Sequence, residues 1–221
     1  MNIGKEIEFI DFHTHRAEGT TGTVAVVNIL AGEDIPLTFS ANTLFSAGIH
    51  PWYITPERLA EIKTELILTM AHPHVILIGE AGFDQLRGPS HEVQRSAFIF
   101  QAELAEETGK PMVIHCVKGW ESLHKARRDV KPSVNWVIHG FRGDIRLALT
   151  LADEGYWFSL GVKGLTQEVL KIIPEDRLLL ETDDSGGTIA DVYRHYSGLT
   201  GKEAGGLSDR IRTNFNNLFK N

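Results

Sequence analysis

Cysteine is almost absent from this chain. Cys116 is the only one among 221 residues, which excludes an internal disulfide framework and any cysteine-rich zinc site. A reducing, cytoplasmic setting is the natural expectation. Long apolar runs are also missing, and none approaches the ~20 residues that a membrane span needs. The opening stretch MNIGKEIEFI lacks the basic-then-apolar pattern of a secretory leader. There is no excess of basic charge: 22 Lys and Arg stand against 29 Asp and Glu, for a net charge of −7. A protein that held nucleic acid by charge alone would normally be basic. Any polyanion must therefore be held here by local groups. No sequence repeat, low-complexity tract or linker interrupts the chain, and residues 1–221 read as a single domain. Hydrophobic residues at 42% and charged residues at 23% are ordinary for a globular protein.

What is present is a series of short apolar runs: Ile7–Phe12, Thr23–Leu30, Leu44–Ile49, Val75–Glu80, Pro111–His115, Val134–His139, Tyr156–Gly161 and Arg177–Thr182. Continuous apolar strands are buried on both faces and belong to parallel sheets. Most of these runs alternate with helical patterns, which implies βα units. Val93, Ala97, Phe100 and Leu104 form a helical stripe opened by Pro89 and Ser90 and closed by Gly109. Thr55 and Pro56 resemble an N-cap and a first-turn proline of a helix running to about Met70. Trp120 to Val130 is helical and polar, Ile145, Leu149 and Ala152 mark another helix before Gly155, and a last one runs from about Leu207 to Phe219. His15 to Thr23 and Ala31 to Thr43 show no helical pattern. The expected fold is a (β/α)8 barrel whose first two helices are shortened or missing. Such barrels typically take ~250 residues but occur from ~200.

The chemistry sits at the ends of the runs. His13 and His15 are two apart, so a strand would turn both toward one side. An isolated pair of this kind is usually a surface or turn feature. Here, however, Glu80, His115 and His139 end three later runs and Asp183 follows the last. In barrels of this class the active site is built at that end of the strands. Buried charges and histidines need partners or a metal. Six ligand-type residues at one end point to a metal centre. Four histidines and two carboxylates make a mixed nitrogen and oxygen donor set that suits Zn, Mn, Fe, Co or Ni. Six ligands exceed what one catalytic ion takes from protein, so two divalent ions are expected, with Mg, Mn or Zn as candidates and Glu80 shared between them. Two such ions activate water and clamp both oxygens of an in-line displacement.

At these residues the sequence resembles the TatD family of metal-dependent hydrolases, within the wider amidohydrolase superfamily. IDFHTH resembles the family's opening D-x-H-x-H, GIHPW its G-x-H-P, and GEAGFD its GE-x-GLD. The helix from Glu92 to Gly109 followed by KPMVIH, then IHGFRG, LLLETDD and the closing Asn214 to Phe219, continue the match in order. The resemblance implies one ion held by His13, His15, Glu80 and Asp183 and a second by Glu80, His115 and His139. It also implies a barrel fold and phosphoester hydrolysis, often as a deoxyribonuclease trimming DNA ends. The sequence departs from the family pattern at Trp52, which replaces a histidine, at Gly140 and Arg142 in place of cysteine and serine, and at Asp184-Ser185 in place of Ala-Pro.

Asp183 is expected to bind metal and accept a proton, with Glu80 as the second catalytic carboxylate. Arg142, Lys118 and His50 are the expected substrate contacts, in each case against a plain surface or turn reading. Asp11 reads equally as a residue orienting a ligand or as a buried structural carboxylate. Asp84 reads as a supporting or loop residue, and Arg87 as solvated by default. Cys116, the cluster Lys125, Arg127, Arg128 and Lys131, and the histidines at 72, 74, 91, 124 and 195 read as packing or surface groups. The expected substrate is a DNA end or a small phosphodiester, with no membrane and no obligate protein partner. The alternatives are an amide or lactone hydrolase of the superfamily and a non-catalytic metal-binding barrel.

Overall fold

A computed structural model describes residues 3–16 and 19–220. The strands are β1 (Phe9–Thr14), β2 (Thr23–Leu30), β3 (Thr43–Gly48), β4 (Val75–Asp84), β5 (Met112–Val117), β6 (Trp136–Ile138), β7 (Trp157–Leu160) and β8 (Leu178–Leu180). The helices are α1 (Leu59–Met70), α2 (His91–Thr108), α3 (Trp120–Val130), α4 (Ile145–Asp153), α5 (Gln167–Leu170), α6 (Ile189–Thr200) and α7 (Ala204–Leu218). Strand order follows the sequence from β1 to β8, which is the topology of a (β/α)8 barrel. Among the described residues no helix lies between β1 and β2 or between β2 and β3, as the patterning of the first third leads one to expect. No helix among the described residues is long and apolar enough to cross a membrane.

The chain divides into two compact units, one taking the described residues up to Val27, Phe39–Thr43 and Val137–Lys220, the other Asn28–Thr38 and Leu44–Trp136. In the first unit β1 pairs with the start of β2 through Phe9↔Thr23, Ile10↔Val24 and Asp11↔Ala25, all parallel. At its far end β7 pairs with β8, and Asp183 bridges back to Thr14. Its core holds Phe12, Phe158, Leu179 and Phe215, with Phe12 and Phe215 edge to face at 6.3 Å. In the second unit all ten residues of β4 are buried. That is the signature of a strand covered on both faces, and it explains the run VILIGE. Phe98 of α2 packs edge-on against Trp136 at 5.3 Å.

Two expectations need correction, and one helix is new. The helix read from Thr55 begins at Leu59, with Arg58 as an N-cap that makes no side-chain cap bond. The Thr55 hydroxyl accepts instead from the Arg58 N–H at 3.4 Å, so it organises a turn ahead of the helix. β4 does not stop at Glu80 but runs on to Asp84, because Ala81, Gly82 and Phe83 are small or apolar enough to stay in the sheet. α6, which the sequence reading did not anticipate, carries a complete capping box between Thr188 and Asp191 and buries Ile189, Val192, Tyr193 and Tyr196 along one face. α2, α3 and α4 fall where their patterns place them, and Gly109 closes α2 in the left-handed region at φ 65°.

Candidate metal centre

In the first unit β1 delivers His13, fully buried, and His15 follows one residue beyond the strand, 44% exposed along its side chain. Both present Nε2 to the same oxygen, Oδ1 of Asp183, at 3.8 Å and 3.6 Å. Asp183 follows β8 with φ 53°, a left-handed conformation that costs a non-glycine residue energy and clusters at functional positions. Several contacts hold it there. Its N–H donates to the His13 carbonyl at 2.9 Å. The preceding Thr182 donates to Asp11 from its N–H at 2.8 Å and its hydroxyl at 2.6 Å. Asp11 is therefore the structural support of the β8 end. Burial pushes its carboxyl up to about 7, although the two Thr182 bonds pull it down.

His139 lies one residue past β6, and its ring centroid is 4.4 Å from that of His13. Glu181, fully buried, stands next to it. One carboxylate oxygen accepts the Gly140 N–H at 2.6 Å and lies 3.7 Å from His139 Nδ1. The other oxygen, Oε2, has no hydrogen-bond partner among the described residues. A buried carboxylate oxygen left unsatisfied is costly unless a cation or a donor faces it. His13, His15 and Asp183 form one donor group and His139, Glu181 and Asp183 another, with ligand atoms inside 4.8 Å of each other in each group.

In the second unit Glu80 of β4 has its backbone N–H on Asn28 Oδ1 at 2.9 Å, and Ser46 holds the same oxygen at 3.0 Å. Its Oε2 lies 3.4 Å from His50 Nε2 and 3.4 Å from His115 Nδ1. These three also form a buried group able to hold an ion. β5 reaches His115 only because Gly82 faces it: a Cβ at Gly82 would lie 1.8 Å from the His115 carbonyl oxygen. The other ring nitrogen of His115 lies 3.4 Å from Asp84 Oδ2, so Nδ1 is the nitrogen turned to Glu80.

Asp84 also receives the Trp52 indole N–H at 2.6 Å and the backbone N–H groups of Leu86 and Arg87 at 2.7 and 3.1 Å. Burial raises its carboxyl. The bonds from Trp52, Leu86 and His115 together outweigh burial and leave it below the usual carboxylate range. Two glutamines of α2 fix the surrounding loops. Gln94 brackets the Asp84 backbone, donating to its carbonyl at 2.9 Å and accepting from its N–H at 2.8 Å. Gln101 does the same for Ile49, the residue before His50, at 3.2 and 2.7 Å.

Each of the six residues expected as ligands lies in one of these donor groups, and so does His50, which the sequence suggested only as a substrate contact. Glu181 and Trp52 stand against these donor groups, His139 and Asp84 being their respective neighbours, and sequence reasoning did not place them there. Glu181 was visible as a second carboxylate two residues before Asp183. Trp52 had no such signal, since its partner Asp84 is 32 positions away. Lys118 is exposed in the loop after β5 at φ 54°. Arg142 is exposed too and lines an open cleft with Arg146 and Lys163. Cys116 has its thiol raised by burial, which fits a packing role. Arg127 leaves the expected basic cluster to stack over Trp136 at 5.4 Å.

Comparison with known proteins agrees with this geometry. A relative from Mycobacterium tuberculosis, named an uncharacterized metal-dependent hydrolase TatD, is 33% identical over 133 residues, 55% of this chain and 50% of its own length. A 3'-5' ssDNA/RNA exonuclease TatD of Pantoea vagans is 35% identical over 148 residues, 62% of this chain and 56% of its own. The matches thus span about half the length of these curated relatives. In fold, the chain is similar to a TatD homologue from Escherichia coli k12, with TM-score 0.76 at 19% identity over 97% of this chain and 98% of that one. A TatD family hydrolase of Entamoeba histolytica gives TM-score 0.76 at 17% identity, covering 96% and 98%. The family model described as TatD related DNase matches residues 20–220, nearly the whole chain, and the protein belongs to that family.

Proposed function

We propose that this protein is a divalent-metal-dependent phosphoester hydrolase that acts on DNA ends. The observation that carries the reading is the pair of donor trios, His13–His15–Asp183 and His50–Glu80–His115, each with its ligand atoms inside 4.8 Å. Neutral imidazoles and carboxylates without thiolate are the donors of a catalytic ion that must keep an open position. The name of the Pantoea vagans relative, an ssDNA/RNA exonuclease, supports a nucleic-acid substrate. His13, His15, Glu80, His115, His139 and Asp183 would hold two ions, with His50 completing the trio around Glu80 and with Mg, Mn or Zn as candidates.

Bound divalent ions polarise phosphoryl oxygens and bring the pKa of water toward ~7. The residues do the rest. Asp183, 21% exposed along its side chain and fixed by the His13 carbonyl, accepts the proton of the attacking water. Glu80, almost wholly buried, sets its Oε2 3.4 Å from His50 Nε2 and 3.4 Å from His115 Nδ1. Asp84 holds the Nε2 side of His115, and Glu181 stands on the Nδ1 side of His139. Such outer partners orient ligand rings and raise their basicity. Lys118 and Arg142 supply local positive charge for substrate phosphates, which the net charge of −7 does not.

The test is turnover by chelated protein before and after addition of Mn, Mg or Zn. The substrates are a single-stranded oligodeoxynucleotide and a generic aryl phosphodiester. Metal-dependent release of nucleotides from an end is the expected result. No turnover of either substrate with any of the ions refutes the reading.

A further inference from the structure

Tyr53 lies three residues beyond His50 and keeps 54% of its surface exposed. Its ring centroid is 5.4 Å from that of His50 and 6.2 Å from that of Trp52. Trp52 is pinned edge-on by its indole bond to Asp84 and packs against His50 at 4.8 Å and His115 at 5.3 Å. Over the Trp52 ring, at 4.0 Å from its centroid, sits the guanidinium of Arg87. Arg58, Arg95, Arg194 and Arg210 each pair with a carboxylate. Arg87 has no such partner among the described residues. An open aromatic face and an unneutralised, orientationally fixed cation thus stand one ring away from the donor trio of His50, Glu80 and His115, all within the same unit.

The combination selects among ligands. Inorganic phosphate would use Arg87 and leave Tyr53 idle. An apolar molecule would use Tyr53 and gain nothing from Arg87. A nucleotide uses both, because every base has a π-face that stacks on an aromatic side chain and every linkage carries a phosphate that a guanidinium can grip with paired N–H groups. We propose that Tyr53, together with Arg87 stacked on Trp52, forms a nucleotide subsite that stacks a base of a single-stranded end and holds its phosphate. The subsite rests on the phosphoester-hydrolase reading above and adds to it a requirement for an unstacked base. Recognition by stacking is tolerant of base identity, so the subsite discriminates base from no base and not one sequence from another.

The experiment compares two single-stranded oligodeoxynucleotides on the metal-loaded full chain. They are identical except that one carries abasic residues in its terminal positions. The readout is the ratio of their kcat/KM values. Wild type is expected to favour the base-bearing end. Tyr53→Ala should lower that ratio by about 5- to 150-fold, the measured range for loss of one base–aromatic stack. Tyr53→Phe should preserve it, because the ring and not the hydroxyl does the stacking. Arg87→Ala should raise KM for both oligonucleotides and flatten the dependence of binding on salt. A wild-type ratio near one, an equal ratio in wild type and Tyr53→Ala, or turnover of an aryl phosphodiester but of neither oligonucleotide overturns the subsite and leaves the hydrolase reading standing. No turnover of any of the three substrates overturns both.

Discussion

Asp84 joins three features of the second unit: the indole of Trp52, the loop after β4 and the imidazole of His115. Replacing it by alanine removes the acceptor of three N–H groups, at 2.6, 2.7 and 3.1 Å. Hydrogen bonds to a charged group contribute about 1.5–3 kcal/mol each, but the three losses differ. Leu86 and Arg87 are exposed, so their N–H groups turn to water and recover most of the loss. The half-buried Trp52 indole recovers less. The net cost for Asp84→Ala is about 2–4 kcal/mol. In a chain of this size 1 kcal/mol moves Tm by about 2–4 °C, so the expected drop is about 4–16 °C. The pH dependence follows from the lowered carboxyl. A depressed folded-state pKa stabilises above the unfolded value of ~3.9, and that stabilisation is lost as pH falls through the folded value. Asp84→Asn keeps an oxygen acceptor but cannot ionise. Its deficit against wild type should be constant from pH 7 to about 5 and should shrink below about 4. The assays are thermal melts of chelated protein at pH 7 and urea unfolding across that pH range. A Tm change under 2 °C for Asp84→Ala, or an Asn deficit as large at pH 3 as at pH 7, would refute the reasoning.

Other substitutions probe the remaining supports. In metal-loaded Asp183→Asn, turnover should fall by ~10²–10⁴-fold, the usual contribution of positioned proton transfer, with the far-UV spectrum unchanged; near-normal turnover rules out its role as base. Glu181→Gln should weaken metal affinity about 10–100-fold, as loss of an outer partner of a ligating histidine does, read by competition with a chromophoric chelator; unchanged affinity removes Glu181 from the centre. Gly82→Ala should cost about 3 kcal/mol or more, since its Cβ would meet a backbone oxygen at 1.8 Å, whereas Gly205→Ala in α7, with nothing within 4 Å, should stabilise by about 0.4–1 kcal/mol. Equal melting temperatures for those two variants would contradict the packing argument.

The barrel topology was legible because burial on both strand faces writes itself as contiguous apolar runs, and the ligands were legible because they interrupt or follow those runs. His13, Glu80 and His115 are polar residues inside largely apolar strands, which they share with Asp11, Thr14 and Asp84. The supports were less visible for a physical reason. Asn28 under Glu80, Asp11 under Thr182 and Asp84 under Trp52 act through one or two hydrogen bonds between residues 32 to 171 positions apart, and such pairs leave no period in a sequence. His50 fell between the two cases. Its place after a strand was visible, but its approach to Glu80 depends on where Gln101 holds the preceding backbone. α6 was legible in principle, since Ile189, Val192, Tyr193 and Tyr196 recur at helical spacing behind the Thr188 capping box, but the stripe is short and half of it is tyrosine.

The two glutamines of α2 give the helix a role beyond packing. Gln94 and Gln101 are seven residues apart, close to two full turns or ~10.5 Å along the axis, and each clamps the backbone of a different loop. The helix therefore works as a gauge: its pitch, and not the loops themselves, sets the separation of the His50 and Asp84 segments. Side chains in the two segments, such as Trp52 and Arg87, take no part in these backbone clamps, so their replacement leaves the spacing in place. An insertion of one residue between the glutamines would turn one of them by ~100° and release a loop that no substitution within the loop itself could restore. The spacing of the two loop segments is thus a property of α2, stored as the number of residues between two glutamines.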